Sequence, residues 1–230
     1  MKTYFKVIGC GAPIVYLHGW GCDGSIFKSV AERLPDYSNY LLDFAGFGSS
    51  GAPPANGFTV FDYADLLAEF LEKNSLKNVV IAAHSFGCRV AMVVAATRPY
   101  LVNRLLLFAP AGVRRPSFIR WCKVRAYKLG KRFKIVKKNA GSADYQATPS
   151  HLKSTFIKVV NQDLSAYARK IVCKTLIIAA KQDSAVPYSA AKRVSKLIKQ
   201  SEFVTVDGDH FALFYAPSAF ARIIKLFAEE

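Results

Sequence analysis

The chain has 230 residues, 52% of them apolar and 21% charged. That is enough apolar material for one packed domain and too little charge for a disordered polar chain. The net charge of +16 is high, yet no apolar run approaches the roughly 20 residues of a membrane-spanning helix, which argues against an integral membrane protein.

Taken in order, Thr3–Ile8 reads as a strand. Val7-Ile8-Gly9-Cys10 faintly matches a lipoprotein cleavage site, but the apolar stretch before it is short and interrupted by Lys6, so a signal segment is not expected. Ile14-Val15-Tyr16-Leu17 is a buried strand running into His18-Gly19-Trp20-Gly21-Cys22-Asp23-Gly24, a glycine-rich loop that exposes backbone. A helix is expected over 25–34, a strand over 39–43, and a second glycine loop over Phe44–Ser50. After Pro53-Pro54, residues from Phe61 or Asp62 to Lys73 carry Tyr63, Leu66, Leu67, Phe70 and Leu71 at helical spacing.

Val79-Val80-Ile81-Ala82 is too short for a helix and rich in β-branched residues, so it reads as a fully buried strand. Phe86–Thr97 is apolar nearly all round and reads as a buried helix. Only Ala83-His84-Ser85-Phe86-Gly87 lies between, so the chain must turn within five residues. The small residues two positions either side of Ser85 are those a nucleophile elbow requires. The alternative is that Ser85 merely caps the helix. A strand over 105–109 follows, then a long basic segment. Beyond it lie a strand over 175–180, a helix over 188–199, a strand over 202–206 and a helix over 217–227. Alternating strands and helices predict an α/β fold with a mostly parallel sheet and helices on both faces. The unusual loops all follow strands and should gather at one sheet edge, where such sheets bind ligands.

The five cysteines, at 10, 22, 88, 122 and 173, show neither metal spacing nor a Cys-x-x-Cys pair. Their odd number suggests free thiols in a reducing compartment, so a cytoplasmic location is expected, with no metal and no cofactor. The charge is unevenly placed. Residues 113–170 hold 15 Lys/Arg against Asp144 and Asp163, for a net +13, while the other 172 residues carry +3. Such a run is either a solvated face or a device for recruiting something anionic: an acidic carrier protein, an anionic surface or a carboxylate-bearing substrate. No nucleic-acid-binding module is visible, and nucleic acid is not an expected partner.

A nucleophilic serine needs a base, and the base an orienting carboxylate. Of His18, His84, His151 and His210, only His210 lies on a late loop at the correct edge. Asp183 follows a strand and is the preferred acid. Asp207 and Asp209 are rivals, but lie so close to His210 in the chain that bonding its ring would need an awkward turn. The chain order is then Ser85, Asp183, His210.

These motifs resemble those of the α/β-hydrolase fold along nearly the whole chain. His18-Gly19-Trp20-Gly21 is similar to its His-Gly oxyanion loop, and Asp43-Phe-Ala-Gly-Phe-Gly-Ser-Ser50 to its Asp-x-x-Gly-x-Gly-x-Ser loop, which should pack beneath the site. Asp183 with Val186-Pro187, and His210 with Pro217, fall at the acid and histidine positions. Ala83 and Cys88 depart from the family's usual glycines. The resemblance implies an oxyanion hole from the backbone N–H groups of Trp20 and Phe86. It also implies a core of residues 1–112 and 171–230 with a basic helical lid over 113–170, its helices marked by Leu152, Phe156, Val159 and Val160 after a Thr148-Pro149 start, and by Phe118, Trp121, Cys122 and Leu129. His18, Gly19, His84, Trp121 and Phe211 are expected at the substrate pocket. The His-Gly-Trp-Gly loop is also similar to that of methyl ester esterases of biotin synthesis, which act on a pimeloyl group held on acyl carrier protein.

The expected activity is serine hydrolysis of a carboxylic ester or thioester of a small-molecule acyl substrate. A C–C hydrolase, lyase or acyltransferase on the same triad, an esterase directed to a carrier protein by the lid, and a non-catalytic binding protein of the same fold are the alternatives.

Overall fold

A strand that is apolar on both faces must have helices above and below it. In the computed structural model, which describes residues 3–113 and 143–230, the strands are β1 (Phe5–Ile8), β2 (Ala12–Leu17), β3 (Tyr37–Leu42), β4 (Val79–His84), β5 (Val102–Phe108), β6 (Lys174–Ala180) and β7 (Ser201–Val206). Every residue of β4 is buried. The strands form one sheet in the order β1-β3-β2-β4-β5-β6-β7. β1 runs antiparallel to β3, and every other neighbouring pair is parallel.

The chain leaves β2 toward β3 on one side and returns through β4 on the other. The order therefore reverses between β2 and β4, which pair up to Leu17 and Ala83. At such a switch point the loops leaving the two strands part and open a crevice at their carboxyl ends. The loops in question begin at His18 and Ser85.

The two-residue alternation of β2 sorts its side chains into two cores. Val15 and Leu17 face a cluster that includes α2 (Val60–Lys73) and α3 (Phe86–Thr97). Ile14 and Tyr16 face one built on α1 (Lys28–Ala31) and α8 (Pro217–Glu229). Burying a Phe, Leu or Ile side chain typically contributes about 1.5–3 kcal/mol. Phe220, Ile224 and Leu71 are fully withdrawn from water, so both helical layers are held by cores of this kind. α2 starts at a capping box, with the Thr59 hydroxyl accepting from the Asp62 N–H and the Asp62 carboxylate from the Thr59 N–H. The polar Asn39 sits inside the second layer because all its donors are used. Its amide donates to the carbonyls of Ile8, Leu34 and Tyr37, and its oxygen accepts from the Tyr16 hydroxyl at 2.8 Å.

Two expected elements differ. The helix over 25–34 is a 3-10 turn, Gly24–Phe27, followed by the single turn of α1. Pro35 disfavours a helical Leu34, and the chain closes with tight bonds from Leu34 N–H to Ala31 O and Arg33 N–H to Val30 O. Thr148 does not cap a helix. α4 (Ala143–Ala147) precedes it, a 3-10 turn covers Ser150–Leu152, and α5 (Lys153–Asn161) follows with no side-chain cap. The Thr148 hydroxyl instead accepts the Trp20 indole N–H at 3.1 Å.

Of the stripe Leu152, Phe156, Val159 and Val160, the first three are buried and Val160 is half-buried. A short helix α6 (Ser165–Ala168) leads back to β6, and α7 (Tyr188–Leu197) joins β6 to β7. Of the proposed lid, Phe118, Trp121, Cys122 and Leu129 lie outside the described residues. Among those described, no helix is long and apolar enough to cross a membrane.

Candidate active site

β4 ends at His84 and α3 begins at Phe86, so Ser85 alone makes the turn. Its backbone lies at φ 49°, ψ −104°. A non-glycine residue rarely adopts that region, and holding one there costs on the order of 1–3 kcal/mol. The surroundings enforce it: Ser85 N–H donates to Phe108 O at 3.0 Å and Gly87 N–H to His18 O at 3.1 Å. A Cβ on Gly87 would stand 2.3 Å from Leu17 O, so only glycine lets α3 press against the end of β2. The Ser85 hydroxyl makes no cap bond to the helix. The capping alternative therefore fails, and Ser85 lines an open cavity of about 510 Å³. Ala83 and Cys88, in place of glycines, are both buried, and the Cys88 thiol reaches the carbonyls of Ala83 and Phe108.

His210 follows β7 on a loop and lines the same cavity. Its Nδ1 lies 2.7 Å from Asp183 Oδ2. With Nδ1–H donating to the carboxylate, Nε2 is the ring's acceptor. The other carboxylate oxygen, Oδ1, accepts the N–H groups of Ala185 and Val186 at 2.8 and 2.7 Å. Burial works to raise the Asp183 pKa. The His210 bond and the two backbone donors outweigh it and hold the carboxyl below its ordinary value. The rival carboxylates are engaged elsewhere. Asp207 pairs with Lys181 at 2.9 Å, and Asp209 accepts the Phe211 N–H.

The backbone N–H groups of Trp20 and Phe86 meet no acceptor among the described residues. Both residues line the cavity beside Ser85. The Trp20 ring packs edge-on to Phe86 and Phe156 at 5.4 and 5.2 Å, which ties the loop after β2 to α5.

Gly19, His84 and Phe211 line the cavity, and Trp121 lies outside the described residues. His18, expected at the pocket, does not line it. It is fully buried, donates from Nδ1 to Gly19 O at 2.8 Å and accepts the Phe44 N–H on Nε2 at 3.0 Å. Burial lowers its pKa to about 4, so a neutral ring joins the two glycine loops. Asp43 is structural too, accepting the N–H groups of Gly24 and Ser49.

Two features escaped the motifs. His84 Nε2 donates to His210 O at 2.9 Å, and Arg89 lines the cavity one helical turn beyond Ser85. Spacing could have flagged Arg89, four residues after the serine on a helix. Nothing local could have flagged the His84 bond, which spans 126 residues.

The α/β-hydrolase fold family model matches residues 12–134, more than half of the chain. The chain belongs to the α/β-hydrolase family. It is 27% identical over 243 aligned positions to the AB hydrolase superfamily protein YisY of Bacillus subtilis, covering 94% of this chain and 90% of that one. It is 34% identical over 121 positions to the pimeloyl-[acyl-carrier protein] methyl ester esterase of Chromobacterium violaceum, across 52% of this chain and 44% of the esterase. The fold of an esterase from Exiguobacterium antarcticum superposes with a TM-score of 0.79 at 22% identity, covering 99% of this chain and 96% of that one. Family membership and esterase-named relatives support hydrolase chemistry.

Proposed function

We propose that this α/β-hydrolase family member is a serine hydrolase of carboxylic esters or thioesters, with Ser85 as nucleophile, His210 as base and Asp183 as the orienting acid. The observation that carries this is the 2.7 Å pair between His210 Nδ1 and Asp183 Oδ2 on the rim of the cavity into which the strained Ser85 turn opens. With Nδ1–H given to Asp183, His210 Nε2 takes the Ser85 hydroxyl proton as Oγ bonds to the carbonyl carbon. The carbonyl oxygen becomes an oxyanion against the N–H groups of Trp20 and Phe86. Loss of one such donor typically costs about 2.7–4 kcal/mol. The bond to the leaving oxygen or sulfur then breaks as His210 returns its proton to that atom, leaving an acyl-enzyme. Water, deprotonated by His210, releases the acid and restores Ser85. A fluorophosphonate probe tests the assignment: it should label this protein at Ser85, and a non-catalytic binding protein would stay unlabelled.

A second reading of the same site is an esterase or thioesterase directed to an acidic carrier protein. It is favoured by the net +13 confined to residues 113–170 and by the likeness to an esterase whose printed name includes acyl-carrier protein.

A further inference from the structure

We propose that Thr148 is a positioning residue for the oxyanion hole: its hydroxyl accepts the Trp20 indole N–H, fixes the ring and, through the ring, the main-chain N–H of Trp20. The proposal deepens the serine-hydrolase reading and rests on it for the place of the oxyanion.

The loop that carries Trp20 has little of its own to hold it. Trp20 stands between Gly19 and Gly21, and glycine leaves the backbone freest to move. Upstream, Gly19 O accepts from His18 Nδ1 at 2.8 Å and from the Cys22 N–H at 3.2 Å. Those bonds hold the oxygen end of the peptide whose other end is the Trp20 N–H. Downstream, Gly21 takes a φ of 78°, and a Cβ placed on it would meet nothing within 4 Å among the described residues. The indole is therefore the anchor on that side.

Three rings box the indole. Phe47, Phe86 and Phe156 pack against it edge-on, at 5.0, 5.4 and 5.2 Å. Apolar packing is non-directional and leaves the indole N–H to find a partner elsewhere. Thr148 Oγ1 receives it at 3.1 Å, across 128 residues of chain.

The acceptor is itself rigid. Thr148 is buried, β-branched and followed by Pro149, so its χ1 and its backbone are both restricted. Leu152 lies so close to Gly46 that a Cβ there would stand 2.5 Å from Leu152 Cδ2. The Leu152 N–H closes a turn on Pro149 O at 2.9 Å. The segment leading into α5 is thereby seated on the loop over 44–50, and the indole is tied to a fixed point. An oxyanion exists only after attack, so a donor held in place stabilises the transition state more than the bound ester. Loss of the tie should therefore appear in kcat and hardly in KM.

The test uses the full chain and a neutral 4-nitrophenyl ester. Thr148→Val keeps the shape and removes the hydroxyl. It should lower kcat about tenfold with KM within about twofold, and Thr148→Ser should keep most of the wild-type rate. If Thr148→Val does not fold, Thr148→Ala takes its place. A double-mutant cycle separates this bond from the other contacts of Thr148. Trp20→Phe keeps the main-chain N–H and loses the indole N–H, so adding Thr148→Val to it should cost nothing further. A second readout needs no turnover. The chain has two tryptophans, so the indole proton signal missing from Trp20→Phe is that of Trp20. Its exchange with solvent should be at least about tenfold faster in Thr148→Val than in the wild type. A Thr148 that only ties the start of α5 to the loop would lower the thermal midpoint and leave kcat unchanged, and that result overturns the proposal. So does an equal loss from Thr148→Val in the wild type and in Trp20→Phe, or indole exchange that Thr148→Val leaves unaltered. A wild-type protein that neither turns over the ester nor takes the fluorophosphonate probe would refute the serine-hydrolase reading, and the proposal with it.

Discussion

His84 Nε2 donates to the main-chain oxygen of His210 at 2.9 Å while His210 turns its own Nδ1 to Asp183 at 2.7 Å. The residue before the proposed nucleophile thus holds the backbone of the proposed base, and a carboxylate on another loop holds its ring. The His84 ring lies near-parallel to Phe108 at 5.2 Å, and its Nδ1 is buried with no hydrogen-bond partner among the described residues. His84→Phe should keep the stacking and lose the bond. We expect kcat/KM on a neutral 4-nitrophenyl ester to drop roughly tenfold, about the worth of one net hydrogen bond, with denaturant stability nearly unchanged. Full activity in the variant would show that His210 is held by its loop alone.

Ser85→Ala should abolish probe labelling and lower turnover by at least about four orders of magnitude, because triad members act as a unit. Its thermal midpoint should match the wild type, since the hydroxyl makes no cap bond. Ser85→Gly should be more stable by roughly 1 kcal/mol, the relief of a positive φ that glycine adopts freely. A tenth of the activity surviving in Ser85→Ala would remove Ser85 from the mechanism.

The acid can be separated from its rivals by amide substitution. Asp183→Asn should reduce kcat by about 10⁴, as expected when the base loses its orienting carboxylate. Asp207→Asn should cost little, because its partner Lys181 is an exposed surface ion pair. Asp209→Asn should also be mild. If either proved worse than Asp183→Asn in folded protein, the pairing seen here would not be the one used in turnover.

Stability should depend on pH through two buried histidines. Burial, with a contribution from neighbouring His210, lowers the His84 pKa to about 3, and burial lowers that of His18 to about 4. Below the ordinary value near 6.5 the unfolded chain binds protons that the folded chain does not. Their contribution is therefore fully present above pH 6.5 and is lost as pH falls toward 4. Each group adds a slope of up to about 1.4 kcal/mol per pH unit in that window. Asp183, held below its ordinary value, acts in the same direction only at lower pH. Urea midpoints at pH 7.5, 5.5 and 4.5 should fall steadily below 6.5, and less steeply in His84→Phe. A flat profile down to pH 4.5 would contradict the burial of both rings.

Recruitment by the basic segment makes a separate prediction. Replacing Arg120, Lys123, Arg125 and Lys128 with glutamine should selectively reduce kcat/KM on an acyl group carried by an acidic carrier protein. The loss should shrink as salt shortens the Debye length, roughly 10 Å at 0.1 M. Activity on a neutral 4-nitrophenyl ester should stay within about twofold. Equal losses on both substrates would assign these residues to the shape of the site, and no loss on either would leave the charge as a solvated face.

What was legible in the chain was what local periodicity and local steric demand encode. Helix Phe86–Thr97 and strand 79–84 follow from an apolar run, a five-residue turn and an apolar helix, and the turn leaves Ser85 as the pivot. The start of α2 was read one or two residues late because Val60 looks like loop until Thr59 and Asp62 close their reciprocal cap. The 25–34 helix shortened because a proline after its last turn outweighed its apolar spacing. Tertiary structure alone decided the partners. Asp183, Asp207 and Asp209 are chemically alike in sequence, and only the β6 and β7 loops, meeting at the sheet edge, bring Asp183 to His210 Nδ1. His18 and His84 are alike too, each at the carboxyl end of a buried strand. The His18 ring is closed between two loops, bonded to Gly19 O and the Phe44 N–H, while His84 lines the cavity and bonds His210 O, partners that only the folded sheet supplies. Contacts across 27, 126 or 128 residues, such as Asp183–His210, His84–His210 and Trp20–Thr148, depend on how the sheet is ordered, and no window of sequence contains both ends.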